Sequence, residues 1–434
     1  MKEYPYWWDT VDSSPRRSAE REGGPAVAST EVPHKADVVI VGAGYTGLSA
    51  ARRLAFAGAS VVVVERERAG WGASSRNGGQ VLTGLKLDAA ALVARYGDAR
   101  ARELFGVATA AIAELDDVIA SESIACEYTR SGHLQAAWKA SHFDAFVEEQ
   151  AILARVFNHQ VRVVPRGEQR REIGSDRYYG VLVDEGSRAL NPAQYVRGLA
   201  AAASRAGVAV CEGVRATTIE RAGAGWRVST SNGAVEAGDV LLATNGYTDR
   251  SAPALQRRLV PIGSYIIATA PMAADQAASI LPRRRVSFDS KHFLHYFRVT
   301  SDRRLLFGGR AEFSQPDGAT IRRAADILRR EMDVVFPQIA GVAVEYAWGG
   351  TVAFTRDQMP RAGLLDGLYY AGGYSGHGIA MATYLGELIA RRIGGEAIDH
   401  PLMDDDFRAI PMYSGRPWFL PVVGAYYRLR DMIE

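Results

Sequence analysis

Two residue types are scarce in this chain of 434 residues. Cysteine occurs only as Cys126 and Cys211, too few for a disulfide framework and at a spacing that suggests no metal site. Lysine occurs only at 2, 35, 86, 139 and 291, so 46 of the 51 basic residues are arginine. Surplus charge is missing too, since 51 Lys and Arg face 49 Asp and Glu for a formal net charge of +2. That excludes the basic excess by which proteins hold nucleic acid or an anionic membrane. Apolar runs such as 38–41 and 61–64 fall far short of the ~20 residues of a spanning helix. The first 35 residues carry charges throughout and no apolar signal-peptide core, so a cytoplasmic location without a membrane span is expected. The remaining composition, 47% hydrophobic and 23% charged, is globular, and the length allows two or three domains.

The organisation follows from hydrophobic patterning. Residues 1–35 stand outside the inferred fold; Tyr4, Tyr6, Trp7 and Trp8 form an aromatic cluster, expected to dock on the body or a second subunit, with a lid as the alternative. Residues 38–41, Val-Val-Ile-Val, read as a parallel strand buried on both faces. A glycine-rich turn and a helix to Ala57 follow, then a second buried strand ending in Glu65. Residues 87–157 read as mostly helical with a strand near 132–137. Asn191-Pro192 opens a helix with an N-cap and a proline at its first position. Buried strands recur at 208–210 and 240–243, and short strands turn at Ser231-Asn232-Gly233. Residues 252–341 alternate strands with a helix near 319–336, and a last strand at 367–371 leads into a helix ending near 393.

Three small-residue motifs carry the chemistry. Gly42-Ala43-Gly44-Tyr45-Thr46-Gly47 sits between strand and helix, with Glu65 and Arg66 closing the next strand. Gly42 permits a tight turn, Gly44 lets backbone approach a pyrophosphate, Gly47 lets helix pack on strand, and Glu65 can accept a ribose diol. The helix N-terminus offers amides and a positive dipole end to phosphate. Gly72-Ala73-Ser74-Ser75-Arg76-Asn77-Gly78-Gly79 is a loop in which backbone amides can come close to a flat ring. Gly373-Tyr374-Ser375-Gly376-His377-Gly378, followed by Ile379, opens a second helix whose dipole can face a ring edge that gains negative charge. For His377, helix capping and contact with that ring are both open.

Together with Ala243-Thr244-Asn245-Gly246-Tyr247, these motifs resemble the glycine oxidase/D-amino-acid oxidase superfamily of FAD-dependent amine oxidoreductases, nearest to its γ-glutamylputrescine oxidoreductase-like branch. The resemblance covers about residues 36–395. It implies an α/β chain: a Rossmann-like FAD-binding domain assembled from 36–90, 184–251 and 342–400, and an α+β substrate domain with a mainly antiparallel sheet from 91–183 and 252–341. Residues 401–434 form a C-terminal tail, whose aromatic stretch 418–433 is expected to dock on the body. Gly42, Gly44, Gly47 and Glu65 would hold the ADP half, Ala73 to Gly79 the ribityl chain and ring, Val214 the adenine through its backbone, and Gly376 to Ile379 the pyrimidine edge. The implied reaction passes hydride from the carbon beside a substrate nitrogen to the flavin, and the imine hydrolyses to a carbonyl compound. The substrate would be a small amine or amino acid, the acceptor O2 or another molecule, the assembly a monomer or homodimer.

Departures from the family pattern sharpen this. Residues 71–74 contain no His and 351–354 no Cys, so FAD is expected to bind non-covalently. The sarcosine-oxidase branch has a carboxylate-binding Lys where this chain has Ala380, and a flavin-side Lys where it has Leu306, which favours an amine over a simple α-amino acid. Lys291 is a candidate substitute, against the alternative of a solvated surface lysine. Tyr296, Arg298 and Arg310 are candidates for the substrate wall, against the alternative of surface ion pairs. His292 and His295 fall on opposite faces of the expected strand, so no metal is assigned. Alternatives kept open are an amino-acid dehydrogenase passing electrons to a quinone or other acceptor, a flavin monooxygenase, and a module that retains FAD without turnover.

Overall fold

The computed structural model describes residues 1–12, 30–309, 316–420, 422–424 and 426. The strand Lys35–Val41 lies between Val61–Glu65 and Gly233–Leu242, parallel to both. Its unbroken apolar run has a direct cause. Val38 and Ile40 face a core shared with Leu48 and Leu385 of the covering helices, while Val39 and Val41 face Trp226, Val228 and Val235 on the opposite side. A strand covered on both faces has no solvent side on which to place polar residues.

The sheet runs Arg361–Leu365, Leu368–Gly372, Gly233–Leu242, Lys35–Val41, Val61–Glu65, Ala209–Glu212. Only its first pair on this path is antiparallel. The hairpin and the buried strand expected separately near 231 and 240 are one element. Gly233–Leu242 pairs antiparallel with Gly225–Thr230 over its first half and parallel with Lys35–Val41 further along. The helices Tyr45–Phe56, Pro192–Arg205 and Gly378–Ile393 share one face of this sheet.

The second sheet runs Val344–Phe354, Val260–Thr269, Leu305–Gly309, His295–Val299, Val286–Asp289, His133–Ala136, Gly180–Asp184, Arg162–Pro165. It is antiparallel except between Val286–Asp289 and His133–Ala136. Tyr265, Ile267, Phe297 and Phe307 point to one face and pack on Leu328, Met332 and Val335 of the helix Gly318–Val335. On the other face Ile266, Ala268, Leu306 and Trp348 pack on Tyr6, Trp7 and Ala193.

Two further segments join these units. Val344–Phe354 belongs to the second sheet, as the partner of Val260–Thr269. The helix Ala89–Ser121 packs Leu92, Leu104, Ala108 and Leu115 into the core of the first unit. His292 precedes the strand that begins at His295, so these two residues do not share a strand. At the N-terminus Tyr6–Asp12 is a helix with Trp7 fully buried. Near the other end Tyr413 and Leu420 pack on Val260 and Ile262, leaving Trp418 66% exposed.

Candidate cofactor site and substrate wall

The first glycine turn is fixed by close approach. Gly42 has φ +107°, and a Cβ on Gly47 would stand 2.0 Å from the Gly42 carbonyl oxygen. No larger residue fits at 47 without moving backbone. The helix Tyr45–Phe56 opens at Gly44 with no side-chain cap, leaving its positive end to whatever lies in front of it. The Glu65 carboxylate accepts the Ala43 N–H at 2.9 Å and the Glu67 N–H at 3.0 Å. Burial pushes its carboxyl above the ordinary range, and the two amides pull it back. Arg66 lies over the Trp71 ring at 5.8 Å and meets Glu67 at 3.6 Å. The Val214 N–H donates to the Glu65 carbonyl at 2.8 Å.

The loop 72–79 is held from inside and outside. Ser74 Oγ accepts the Tyr45 N–H at 3.1 Å, and Ser74 O accepts the Tyr45 hydroxyl. Asn77 donates to Ala73 O at 2.9 Å and accepts the Gly79 N–H at 2.8 Å. Arg298 donates to the carbonyls of Gly79 and Leu190, both at 2.8 Å. Burial pushes its guanidinium down to about 10. Arg298, a candidate for the substrate wall, thus stands under the loop and outside the cavity lining.

The last motif reaches back to the other two. Tyr374 and Thr46 share a hydrogen bond at 2.6 Å, and Asn245 accepts the Gly373 N–H at 2.9 Å. Positive φ at Gly373 (+78°), Ser375 (+51°) and Gly376 (+98°) bends the chain into the helix Gly378–Ile393, which starts after His377 without a side-chain cap. Burial, then the charges of Lys86 and His133, push His377 down to about 3. Its Nδ1 is buried and has no hydrogen-bond partner.

These features converge on a cavity of ≈ 550 Å³. Lined residues include Gly42, Gly44, Tyr45, Thr46, Glu65, Arg66, Gly72, Ala73, Ser74, Asn77, Gly78, Ala243, Thr244, Asn245, Tyr374, Gly376, His377, Gly378 and Ile379. Gly47, Ser75, Gly79, Val214 and Gly373 stand behind that lining. Two uncapped helix N-termini, an orphaned imidazole nitrogen and glycines at close approach make a cradle suited to a phosphorylated, flat-ringed cofactor.

The cavity continues to the second sheet. Tyr296 and Lys291 both line it. The Tyr296 hydroxyl shares a hydrogen bond with Ser264 at 2.9 Å, and its ring lies 3.3 Å from where a Cβ on Gly78 would stand. Lys291 is not a solvated surface lysine. Its side chain is 11% exposed, its ammonium lies 4.1 Å from the Trp138 ring centre, and Glu331 is 3.9 Å away. Arg310 lies outside the described residues. The sequence reading missed His133, Gln135, Phe288 and Lys86, which also line the cavity. His133 bonds Ser187 at 2.8 Å, stacks on Phe288, and is pushed by burial down to about 4. Alternation at 133 and 135 on the expected strand was the signal available for two of them.

Residues 37–392 match the family model described as FAD dependent oxidoreductase (DAO). The chain belongs to this family of FAD-dependent oxidoreductases. It is 35% identical over 405 residues to a gamma-glutamylputrescine oxidoreductase of Escherichia coli K12, covering 92% of this chain and 93% of that protein. A probable oxidoreductase, OrdL, of Haemophilus influenzae is 32% identical over 89% of each chain. In fold, this DAO-family chain is similar to glycine oxidase from Geobacillus kaustophilus, with TM-score 0.72, 18% identity, and 85% of this chain and 97% of that one covered. L-proline dehydrogenase from P.horikoshii gives TM-score 0.70 at 18% identity, covering 86% and 96%. The cradle assembled above is thus the place in this DAO-family oxidoreductase where the residues present fit FAD. No helix among its described residues is long and apolar enough to cross a membrane.

Proposed function

We propose that this oxidoreductase oxidises a C–N bond of an amine or amino acid, with γ-glutamylputrescine-like and other primary or secondary amines favoured, and binds its FAD non-covalently. The observation that carries the proposal is the single cavity running from the Gly42–Thr46 turn to the sheet residues Gln135, Phe288 and Tyr296. It gives a cofactor cradle and an organic substrate a common space. The 35% identity to a protein named for γ-glutamylputrescine supports the substrate class.

In this reading the first turn and Glu65 hold the ADP half, and residues 73–78 with 376–379 hold the ring. FAD, when bound there, supplies a hydride acceptor beside the substrate's C–H bond. The N-terminus of Gly378–Ile393 favours negative charge on the ring edge by about 0.3–1 kcal/mol, and by up to ~2 when partly buried. His377 stays neutral and keeps Nδ1 available to a hydrogen-bonding ligand. Phe288, Leu294 and Ile262 give the wall an apolar share, which penalises an ammonium and favours the neutral amine whose lone pair assists oxidation. Tyr296 is placed to orient the substrate. Neither 71–74 nor 351–354 offers a His or Cys for covalent attachment.

The test is anaerobic bleaching of the purified protein's visible flavin band by γ-glutamylated amines, polyamines, secondary amines and amino acids. Bleaching by an amine supports the proposal, and a band that survives the whole panel overturns it. Readmitted air separates an oxidase, which regains colour, from a dehydrogenase that needs a quinone or another acceptor. Acid precipitation that leaves the yellow colour in the pellet contradicts non-covalent binding.

A further inference from the structure

We infer that residues 1–12 are a built part of the cofactor site, an arm that pins the loop 72–79 from its outer side so that FAD affinity depends on Trp7 and Trp8. The inference rests on the reading that this loop holds the FAD ring.

The arm starts as an addition to the second sheet. The Lys2 N–H donates to Glu345 O at 2.7 Å, and the Ala347 N–H donates to Lys2 O at 2.9 Å, pairing with the sheet's outermost strand Val344–Phe354. Asp9 then gathers the Lys2 ammonium and the Tyr346 hydroxyl, each at 2.8 Å, which folds the helix Tyr6–Asp12 back over the sheet. The Tyr6 hydroxyl donates to Asp302 at 2.8 Å.

That anchoring delivers two indole donors to the loop. Trp7 Nε1 donates to Asn77 O at 2.9 Å, and Trp8 Nε1 donates to Ser75 Oγ at 2.8 Å. The Arg76 guanidinium lies 4.8 Å from the Trp8 ring centre and 4.4 Å from that of Trp71. Of the loop's own side chains, Asn77 bonds within it to Ala73 and Gly79, and the rest are glycine, alanine, serine and Arg76. Neighbours supply further order, and a ring entering a preordered loop loses less freedom than one that must order it. Packing alone would use the tryptophan rings. Here both polar N–H groups are also aimed at the loop.

Trp7→Phe and Trp8→Phe keep an aromatic ring and delete each N–H. FAD binding to the apoprotein is followed by fluorescence, with apoprotein melting as a control for folding. Each variant is expected to raise the FAD Kd about tenfold, the effect of one net hydrogen bond, and to alter the shape of the bound flavin's visible band. Ser75→Ala should reproduce Trp8→Phe, and the double variant should cost less than the two effects together. Wild-type Kd and spectrum in both Phe variants would overturn the inference, as would full additivity of Trp8→Phe and Ser75→Ala. A wild-type apoprotein that takes up no FAD overturns the cofactor reading, and the inference with it.

Discussion

Arg298 is a charged side chain whose partners are backbone. A lone arginine on a strand near a substrate wall invites pairing with a carboxylate, yet both of its bonds go to backbone carbonyls of Gly79 and Leu190. Hydrogen bonds from charged donors contribute about 1.5–3 kcal/mol each. Arg298→Met is therefore expected to lower stability by about 2–3 kcal/mol and to weaken FAD retention, read by denaturant unfolding and FAD titration. A raised KM with unchanged stability and FAD affinity would return Arg298 to the substrate. Lys291 teaches the same lesson in reverse. On a sequence it reads as solvated, but the turn before His295 brings it under Trp138 and beside the cavity. Local residue types do not encode which face of a sheet a side chain joins; the strands paired on either side decide that.

At the scale of elements, the cofactor half was legible because its geometry is written in short-range spacing. Gly42 and Gly47 fall where backbone approaches backbone and Gly44 where the Ser74 hydroxyl comes close, and the unbroken valines of 61–64 are the trace of a strand covered twice. Sheet membership was less legible. Non-local pairing places Val344–Phe354 beside Val260–Thr269, and packing places Ala89–Ser121 against the core of the first sheet. The joint between the first and last motifs offers a measurement. Tyr374→Phe removes its hydrogen bond and leaves the buried Thr46 hydroxyl without that partner. The expected outcome is a loss of about 1–2 kcal/mol together with weaker FAD binding, seen in thermal melts with and without FAD. Unchanged melting and affinity would mean that the two segments hold their positions independently.

At the scale of the whole molecule, three histidines, His133 buried and His377 and His400 partly buried, set an acid limit. Burial is the leading cause that lowers His377 to about 3, and His133 and His400 to about 4, from the ordinary 6.5. Between 6.5 and those values the unfolded chain binds protons that the folded chain refuses, so stability falls as pH drops through that window. The apoprotein's melting temperature is expected to decline from about pH 6.5 downward, and less steeply in His400→Gln. A flat profile down to about pH 4.5 would contradict the desolvation of these rings. The order of the strands has a different outcome. The chain contributes to the first sheet at 35–65, to the second at 133–184, and to the first again at 209–242. It returns to the second at 260–354 and ends in the first at 361–372. Neither half can therefore be excised as a continuous fragment, and synthesis must be nearly finished before either sheet is complete. Such long-range closure makes for slow assembly, with a window during translation in which strands already made wait unpaired for partners from later in the chain.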